Sequence, residues 1–205
     1  TRITANARPN VKGKDFPGGK PNALPKGIRV DELRGACPGA PGRVRVRFST
    51  NANLDGAKST DWVNVGPRTD FSHQFRLTEL QPNTQYHYAS ETTGPEDKPA
   101  HASLRGSFRT APAPDRYDDV LFTVISCSAF RSLDHDDGFH IYPAMAALRP
   151  QFFVHTGDNV YYDSDTIYAA GVDLARHHWH RMHSLPRHVA FHLQVPGYFE
   201  KDDHD

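Results

Sequence analysis

Two short segments of the chain hold side chains that suit metal binding. Residues 126–128 contain Cys127 and directly follow one apolar run, while residues 156–161 contain Asp158 and Tyr161 and directly follow another. A thiolate, a carboxylate and a phenolate in one cleft would form an anionic cage, which is unfavourable unless cations fill it. A metal ion is the simplest neutralising group, so these residues predict a metal centre.

The elements that must position these side chains are two strands and a helix. The apolar runs Val120 to Ile125 and Gln151 to His155 are typical of strands buried on both faces, and Tyr142 to Leu148 is predicted to be a short helix. A strand, helix and strand in this order make the two strands parallel, so their carboxyl ends meet at one sheet edge, where ligands bind. We therefore expect Cys127 and Asp158 to lie close together.

Three motifs carry a resemblance to a known family. HTGDNVYYD at His155 to Asp163 is similar to the HxGDxxY signature of alkaline phosphatase D and its phosphodiesterase relatives, within the calcineurin-like metallophosphoesterase superfamily. VISCS at Val124 to Ser128 resembles the cysteine segment that this family has where other members carry Asp-x-His. KDDHD at Lys201 to Asp205 resembles the segment that stands where the superfamily has Gly-Asn-His-Asp or Gly-Asn-His-Glu. The motifs follow one another in the family's order.

The resemblance implies two or more metal ions and assigns ligands to them. It implies that Asp158 bridges two ions, and that Cys127 and Tyr161 bind the more oxidised or softer ion, for which a thiolate and a phenolate suggest Fe(III). Asp203 stands where the superfamily has a metal-binding Asn, and its carboxylate suits a hard cation such as Ca(II). Asp202 is a weaker candidate for that role. Ligand type alone also admits zinc or manganese.

The resemblance also implies a catalytic pair and a reaction. His204 matches the superfamily histidine that contacts the phosphate or protonates the leaving oxygen, and Asp205 would orient its other ring nitrogen. The implied reaction is the hydrolysis of a phosphate mono- or diester by a metal-activated hydroxide. The implied location is secreted, periplasmic or in the cell envelope. Family members complete the metal site with ligands beyond the position of Asp205, so we expect an amino-terminal half with little or no activity alone.

Two other functions are compatible with the same residues. One is a non-catalytic binding protein, in which the first domain engages a partner and the phosphatase part is truncated and vestigial. The other is a peroxidase-like role for an iron site, which needs an open metal position but no phosphate-binding arginine.

The residues before the apolar runs predict a different domain. Residues 1–27 are rich in Pro, Gly, Asn and Lys and predict a poorly ordered lead-in, and residues 28–114 predict a β-sandwich. For residues 115–205, the family resemblance implies an incomplete metallophosphoesterase domain of α-β-β-α layers. Period-two alternation between turn residues predicts antiparallel strands at Arg43 to Phe48, Phe71 to Leu77, Tyr86 to Ala89 and Gly106 to Thr110. LxPxTxY at Leu80 to Tyr86 is typical of a tyrosine corner, and this part resembles a fibronectin type III domain.

Composition narrows the classes of function. The chain has 24 basic and 24 acidic side chains, so its formal charge is zero and we expect no sequence-specific nucleic-acid recognition. No apolar run approaches the roughly 18 residues that a bilayer span requires. Cys37 and Cys127 lie far apart without a second pair, so the sequence supports neither a disulfide-rich scaffold nor a structural zinc cluster.

Alternatives remain open at several residues. Cys127 is compatible with an ordinary small apolar role, and Tyr162 could exchange roles with Tyr161 if the loop register differs. Arg131 is near enough in sequence to contact a phosphate. Three histidines at helical spacing are compatible with a second metal site, although nearby arginines favour a solvated or substrate-facing surface: His177, His180 and His183.

Overall fold

The chain folds into two compact units. The computed structural model describes residues 1–16, 24–94, 103–165 and 167–205. The sheet unit comprises Thr1–Ala5 with Gly39–Val120, and the α/β unit comprises Asn6–Pro38 with Leu121–Asp205. This grouping differs from the predicted boundaries after residues 27 and 114, because buried Leu33 packs with Ile167 and Leu174 in the α/β unit. Residues 17–23 of the predicted lead-in lie outside the described residues.

The sheet unit is built on one antiparallel sheet. Its strands are β1 (Gly42–Ser49), β2 (Lys58–Ser59), β3 (Val63–Val65), β4 (Gln85–Thr93) and β5 (Leu104–Arg109). They run in the order β2-β1-β4-β5, and β3 also pairs with β1. Alternate residues of β1 are buried, which confirms the strand that the alternation predicts there. The strands predicted around Tyr86 and Gly106 are confirmed as β4 and β5.

The strand predicted at Phe71 to Leu77 is wrong. This stretch forms only an isolated bridge, between Ser72 and Arg2. Asp70 and Phe71 both have positive φ, 50° and 56°, so the chain turns there and cannot enter an extended strand. Alternation of residue types alone does not reveal such a turn.

The predicted tyrosine corner has the expected hydrogen bond. The Gln81 backbone N–H donates to the Tyr86 hydroxyl over 3.0 Å, and the Tyr86 ring stacks on Phe108 with 5.6 Å between centroids. A buried tyrosine with its hydroxyl tied to upstream backbone fixes the entry to β4. Whether this unit is a fibronectin type III sandwich stays a prediction, since the described strands form a single sheet.

The α/β unit contains the predicted strand, helix and strand. Its elements are β6 (Phe122–Ile125), α1 (Ile141–Ala147), β7 (Phe152–His155), α2 (Val172–His183), α3 (Pro186–His192) and β8 (Gly197–Phe199). The three strands are parallel in the order β6-β7-β8, and Ile125 lies opposite His155 in the register. The carboxyl ends of β6 and β7 therefore coincide, as expected.

Among the described residues, helices α1 and α3 pack on one face of the sheet of the α/β unit, and side chains of the other face are exposed. The core of this unit contains Tyr142 and Met145 of α1, Phe153 of β7 and Phe191 of α3. Burial of β6 on both faces, which its apolar run predicted, is wrong: Phe122 is 48% exposed and Val124 52% exposed. Tyr198 of β8 is 64% exposed. No described helix has the length and apolar character to cross a membrane.

Candidate metal centre

Backbone hydrogen bonds join the loops that follow β6 and β7. The Cys127 N–H donates to the Gly157 carbonyl over 3.3 Å, and the Ser128 N–H donates to the Asp158 carbonyl over 2.9 Å. These bonds bring the Cys127 thiol within 3.5 Å of Asp158 Oδ2. The proximity expected from parallel strands is thus confirmed. Cys127 is exposed, so it does not have the buried apolar role that was its alternative.

Both loops pass through left-handed backbone conformations. Cys127 has a φ of 60°, Asp158 one of 54° and Gly157 one of 105°. Aspartate tolerates this region, whereas it is uncommon for cysteine, and such strain collects at functional sites. Gly157 is also required sterically, because a Cβ there would meet the Asp202 Cβ at 2.5 Å. The turn therefore holds Asp158 in place at a cost in backbone strain.

Tyr161, and not Tyr162, faces Asp158. The Tyr161 hydroxyl donates to Asp158 Oδ2 over 3.0 Å, whereas the Tyr162 hydroxyl accepts a hydrogen bond from Trp179 Nε1 over 2.6 Å. Burial, and then the neighbouring Cys127 and Asp158, raise the pKa of Tyr161. The phenol would release its proton to bind a cation, because a cation is the group that offsets this negative surrounding.

The donor atoms at this edge suit a cation. Asp158 is 8% exposed, and its Oδ1 is buried without a hydrogen-bond partner. One ligand atom each of Asp158, Asp203 and His204 lies within 4.8 Å of the other two, and among the described residues no other group of three meets that limit. A buried orphan carboxylate oxygen beside further donors is what a metal ion would satisfy, with Cys127 and Tyr161 adding sulfur and phenol oxygen.

His204 is oriented by Asp163. His204 Nδ1 lies 2.8 Å from Asp163 Oδ1, and its ring lies 4.7 Å from the Tyr161 ring. The hydrogen bond to Asp163 is the main cause that raises the pKa of His204. Nδ1 is occupied by this bond, which leaves Nε2 as the nitrogen for a ligand or a transferable proton.

The predicted pairing of Asp205 with His204 is wrong. Asp205 is 7% exposed and turned inward. Its Oδ2 accepts from the Asn159 backbone N–H over 2.7 Å and from Asn159 Nδ2 over 2.6 Å, and its Oδ1 accepts from the Asp202 N–H over 2.8 Å. Asp205 therefore ties the motif after β7 to the segment that carries Asp203 and His204, which is a positioning role.

Sequence reasoning missed Asn159 and Asp163. Both lie inside the HTGDNVYYD motif. Residue type alone does not show whether the hydrogen-bond partner of such a side chain lies three or forty residues away in the sequence. Asn159 is 3% exposed and also donates through Nδ2 to the Glu200 carbonyl over 2.7 Å. The one signal in the sequence is an Asn directly after a Gly-Asp turn, since an amide at such a position requires partners if the fold buries it.

Two further side chains border the centre. The Arg131 guanidinium lies 5.8 Å from the centroid of the Tyr161 ring and also donates to the Ser164 carbonyl. On the inner side, Ser128 Oγ lies 2.9 Å from His155 Nε2, where burial lowers the pKa of His155. Arg131 thus offers a positive group at the rim, and His155 supports the strand ends from behind.

Among the described residues, His177, His180 and His183 of α2 do not form a group of three whose ligand atoms lie within 4.8 Å of one another, so the second metal site is not formed. The His177 ring lies 6.1 Å from that of His178, whereas His183 stacks on Trp179 at 5.3 Å. The solvated helix surface that the arginines favoured is wrong for Arg181, which is 5% exposed and bonds to Asp165 over 2.5 Å. Burial of that ion pair could not be read from the arginine alone.

Comparisons with known proteins agree with the motifs. Residues 122–205 match the family model of the PhoD-like phosphatases. None of the curated proteins matches the chain. A solved structure of PhoD aligns with a TM-score of 0.67 and 19% identity over 82% of this chain and 33% of that one, so the two share a fold and this chain spans a third of the other's length. A purple acid phosphatase from yellow lupin seeds (Lupinus luteus) aligns at a TM-score of 0.46 and 10% identity over 79% of this chain and 30% of that one, a likeness too weak to support an argument.

Proposed function

We propose that the chain is part of a metal-dependent phosphoesterase that hydrolyses phosphate mono- or diesters, because residues 122–205 match the family model of the PhoD-like phosphatases. The observation that carries the proposal is the meeting of Cys127, Asp158 and Tyr161 with Asp203 and His204 at the carboxyl ends of β6 and β7. These donors come from three separate stretches of sequence. Their convergence at the carboxyl ends of parallel strands is typical of a ligand-binding site.

The chain's own residues divide into ligands and positioning groups. Asp158, Cys127, Tyr161 and Asp203 would hold the ions, with Asp158 central because both of its oxygens face the other donors or lack a protein partner. Bound cations supply neutralisation of phosphoryl charge and lower the pKa of a water molecule. Asn159, through Asp205, keeps these loops in register. The thiol is a ligand in this proposal and not an attacking nucleophile.

His204 is the proposed proton carrier. Its bond to Asp163 fixes the ring through Nδ1 and favours the protonated form, so that Nε2 can hold a proton for the leaving oxygen of the ester. The proposed role of orienting group therefore passes from Asp205 to Asp163. Arg131 at the rim is placed to meet a phosphoryl oxygen once substrate binds.

We propose Fe(III) and Ca(II) as the ions, with zinc or manganese as the alternatives that the donors also admit. A thiol and a phenol beside one carboxylate favour an ion that accepts soft and phenolate ligands, whereas Asp203 offers the hard oxygen that calcium prefers. A secreted, periplasmic or cell-envelope location and a phosphate-ester partner are proposed from the family alone.

The test is iron binding read by colour. A phenolate bound to Fe(III) gives a visible charge-transfer band, so the 205-residue chain titrated at neutral pH with Fe(III) citrate, which keeps the ion in solution, should develop one. Tyr161→Phe should remove the band, and Tyr162→Phe, the matched control whose hydroxyl bonds Trp179, should keep it. A band that survives Tyr161→Phe, or none in the parent chain, contradicts the proposed ligand set. Phosphate release from 4-nitrophenyl esters, measured on the longest native gene product, then tests the reaction itself.

A further inference from the structure

A group of buried histidines lies behind the candidate centre, apart from its ligands. The histidine cluster consists of His183 at the end of α2, His188 and His192 on α3, and His155 on β7. The His183 ring lies 6.2 Å from His188 and 6.0 Å from His192. Five ring nitrogens of the cluster are buried without a hydrogen-bond partner: His155 Nδ1, His183 Nε2, both nitrogens of His188, and His192 Nε2.

Such a cluster is unusual because buried polar atoms are normally satisfied. Roughly nine in ten buried polar atoms have a partner, so five orphans among four neighbouring rings need an explanation. A bound metal ion is the first candidate, but no three of these nitrogens lie within 4.8 Å of one another among the described residues. The rings are packed as aromatic groups instead, since His188 lies 3.9 Å from the Tyr142 ring and His192 lies 5.6 Å from the Phe199 ring.

The cluster joins the helices to the sheet. His183 ends α2, His188 and His192 occupy α3, and their ring neighbours Tyr142 and Phe199 belong to α1 and β8. An uncharged imidazole in this setting behaves as a flat, largely apolar side chain. A protonated ring of His183, His188 or His192 would be a buried cation with no carboxylate among its described neighbours. Protonation of a second ring would add repulsion between like charges.

We propose that the histidine cluster is an acid-sensitive latch, which holds α2 and α3 against the sheet while its imidazoles are neutral and releases them when two or more become protonated. The proposal concerns the packing of the α/β unit and does not depend on the hydrolase function.

The groups that face the cluster oppose protonation. Within the cluster, His155 faces the rings of α2 and α3 from β7. His180 faces them from α2 and the Tyr142 ring from α1, and Arg187 precedes His188 on α3. Burial is the main cause that lowers the pKa of His183 to about 4, of His188 to about 3 and of His192 to about 4, with neighbouring imidazoles adding to the effect. Among the described residues, no carboxylate acts on His183, His188 or His192, whereas the carboxylates of Asp205 and Asp158 act on His155, whose pKa burial nevertheless lowers.

The direction of the pH dependence follows from these values. In the unfolded chain a histidine has a pKa of about 6.5. A folded-state pKa lowered to about 3 or 4 means that the unfolded form binds more protons between these limits. The stabilisation is therefore complete above about pH 6.5 and is lost as pH falls toward 4. Because several rings share the cluster, the loss should be steeper than the titration of one group.

Trp179 reports on the latch directly. It stacks on His183 with 5.3 Å between centroids and planes 8° apart. The chain has two tryptophans, so Trp62→Phe leaves Trp179 as the sole fluorophore. In that background, fluorescence between pH 8 and pH 3.5 should show a reversible transition with a midpoint between about pH 4 and 6 and an uptake of more than one proton.

Variants separate the latch from general acid unfolding. The double variant His188→Phe with His192→Leu should lower the midpoint by at least about half a pH unit and make the transition shallower, because it removes two titrating groups. His135→Gln, a matched control on an exposed loop, should leave both unchanged. If the double variant does not fold, hydrogen exchange of the backbone amides of the unaltered chain tests the latch instead. At pH 5, after correction for intrinsic exchange rates, the amides of residues 172–192 should lose protection before those of β1 and β4.

Three results would overturn the proposal. The first is the absence of a fluorescence transition above pH 3.5. The second is a double variant whose midpoint and steepness equal those of its parent. The third is the same fluorescence change when a chelator is added at pH 7.5, because that change would show that the cluster holds an ion. The readout is structural, so loss of phosphoesterase activity for any other reason leaves this test intact.

Discussion

The two units differ in where they place their charged and titratable side chains. In the sheet unit, Arg45 and Arg47 share Glu91 at 2.7 Å and 3.4 Å, and Arg45 lies 4.5 Å from the centre of the Trp62 ring. The α/β unit also has a buried ion pair, Arg181–Asp165, but five ring nitrogens of its histidine cluster are buried without a partner. Partly exposed ion pairs contribute little and stay paired across neutral pH, whereas a buried neutral base destabilises the fold once it is protonated. The comparison teaches that one chain can contain a pH-tolerant part and a pH-sensitive part.

The same contrast extends to function. The candidate metal centre lies wholly in the α/β unit, which also holds ten of the thirteen histidines of the chain. The sheet unit contributes regular strands and a tyrosine corner. Changes in the α/β unit should therefore alter metal binding and stability separately, and changes in the sheet unit should alter stability alone.

The largest expected effect is the loss of the metal. Asp158→Ala removes the carboxylate whose Oδ2 contacts Cys127 and Tyr161 and whose buried Oδ1 has no hydrogen-bond partner. Metal affinity should therefore fall by more than about 100-fold. Isothermal titration with Fe(III) or Ca(II) measures it. Asp134→Ala, an exposed carboxylate in the same unit, is the control and should keep full affinity. Equal losses of metal affinity in the two variants would show that Asp158 binds metal no more specifically than an exposed carboxylate does.

A core truncation should separate the stabilities of the two units. Phe153 is fully buried in the α/β core, so Phe153→Ala should destabilise that unit by about 3 to 5 kcal/mol. Urea unfolding followed by Trp179 and by Trp62 in single-tryptophan variants reads each unit in turn. If the Trp62 transition moves as far as that of Trp179, the two units unfold together and the contrast between them fails.

A smaller effect is expected at the tyrosine corner. Tyr86→Phe keeps the ring on Phe108 but removes the acceptor of the Gln81 N–H, which should cost about 1 kcal/mol. The Trp62 transition in urea should report this loss, with metal affinity unchanged. Tyr88→Phe, on the same strand, is the matched control. Weaker metal binding in Tyr86→Phe would contradict a purely structural role for the sheet unit.

The smallest expected effect is on protonation of His204. Asp163→Asn removes the hydrogen-bonded charge that raises the pKa of His204, so its pKa should fall and the ring should lose its proton at lower pH than in the parent. Stability should stay within about 0.5 kcal/mol, because both groups are at the surface. A pH titration of the imidazole signals by NMR measures the shift. Asp205→Asn should not reproduce it, since Asp205 bonds Asn159 instead.

Sequence predicted local order well and tertiary partners poorly. The alternation in RVRVRF and the apolar runs around Phe122 and Phe153 correspond to β1, β6 and β7, because side-chain periodicity is a local property of the chain. The approach of Cys127 to Asp158 also followed, since parallel strands bring their carboxyl ends to one edge. These inferences required no knowledge of distant contacts.

The errors share a physical origin. Asp205 was assigned to its neighbour His204, yet its carboxylate meets Asn159, and His204 finds Asp163 forty-one positions away. The burial of Arg181 with Asp165 and the open face of Phe122 likewise depend on what lies across the fold. Residue type indicates that a group needs a partner but not which partner it finds, since loop closure brings distant residues together at little extra cost.

The left-handed backbone at Cys127 and Asp158 determines which substitutions these two positions favour. Glycine would fit both backbones better than the residues present, so substitutions to glycine should relieve strain even as they delete the ligands. Natural drift would therefore favour glycine at both positions once selection for the metal relaxes. Retention of both side chains in a population of sequences would be a record of continued use. A glycine variant at either position should gain backbone stability and lose metal binding, so selection for thermal robustness and selection for the metal act in opposite directions here.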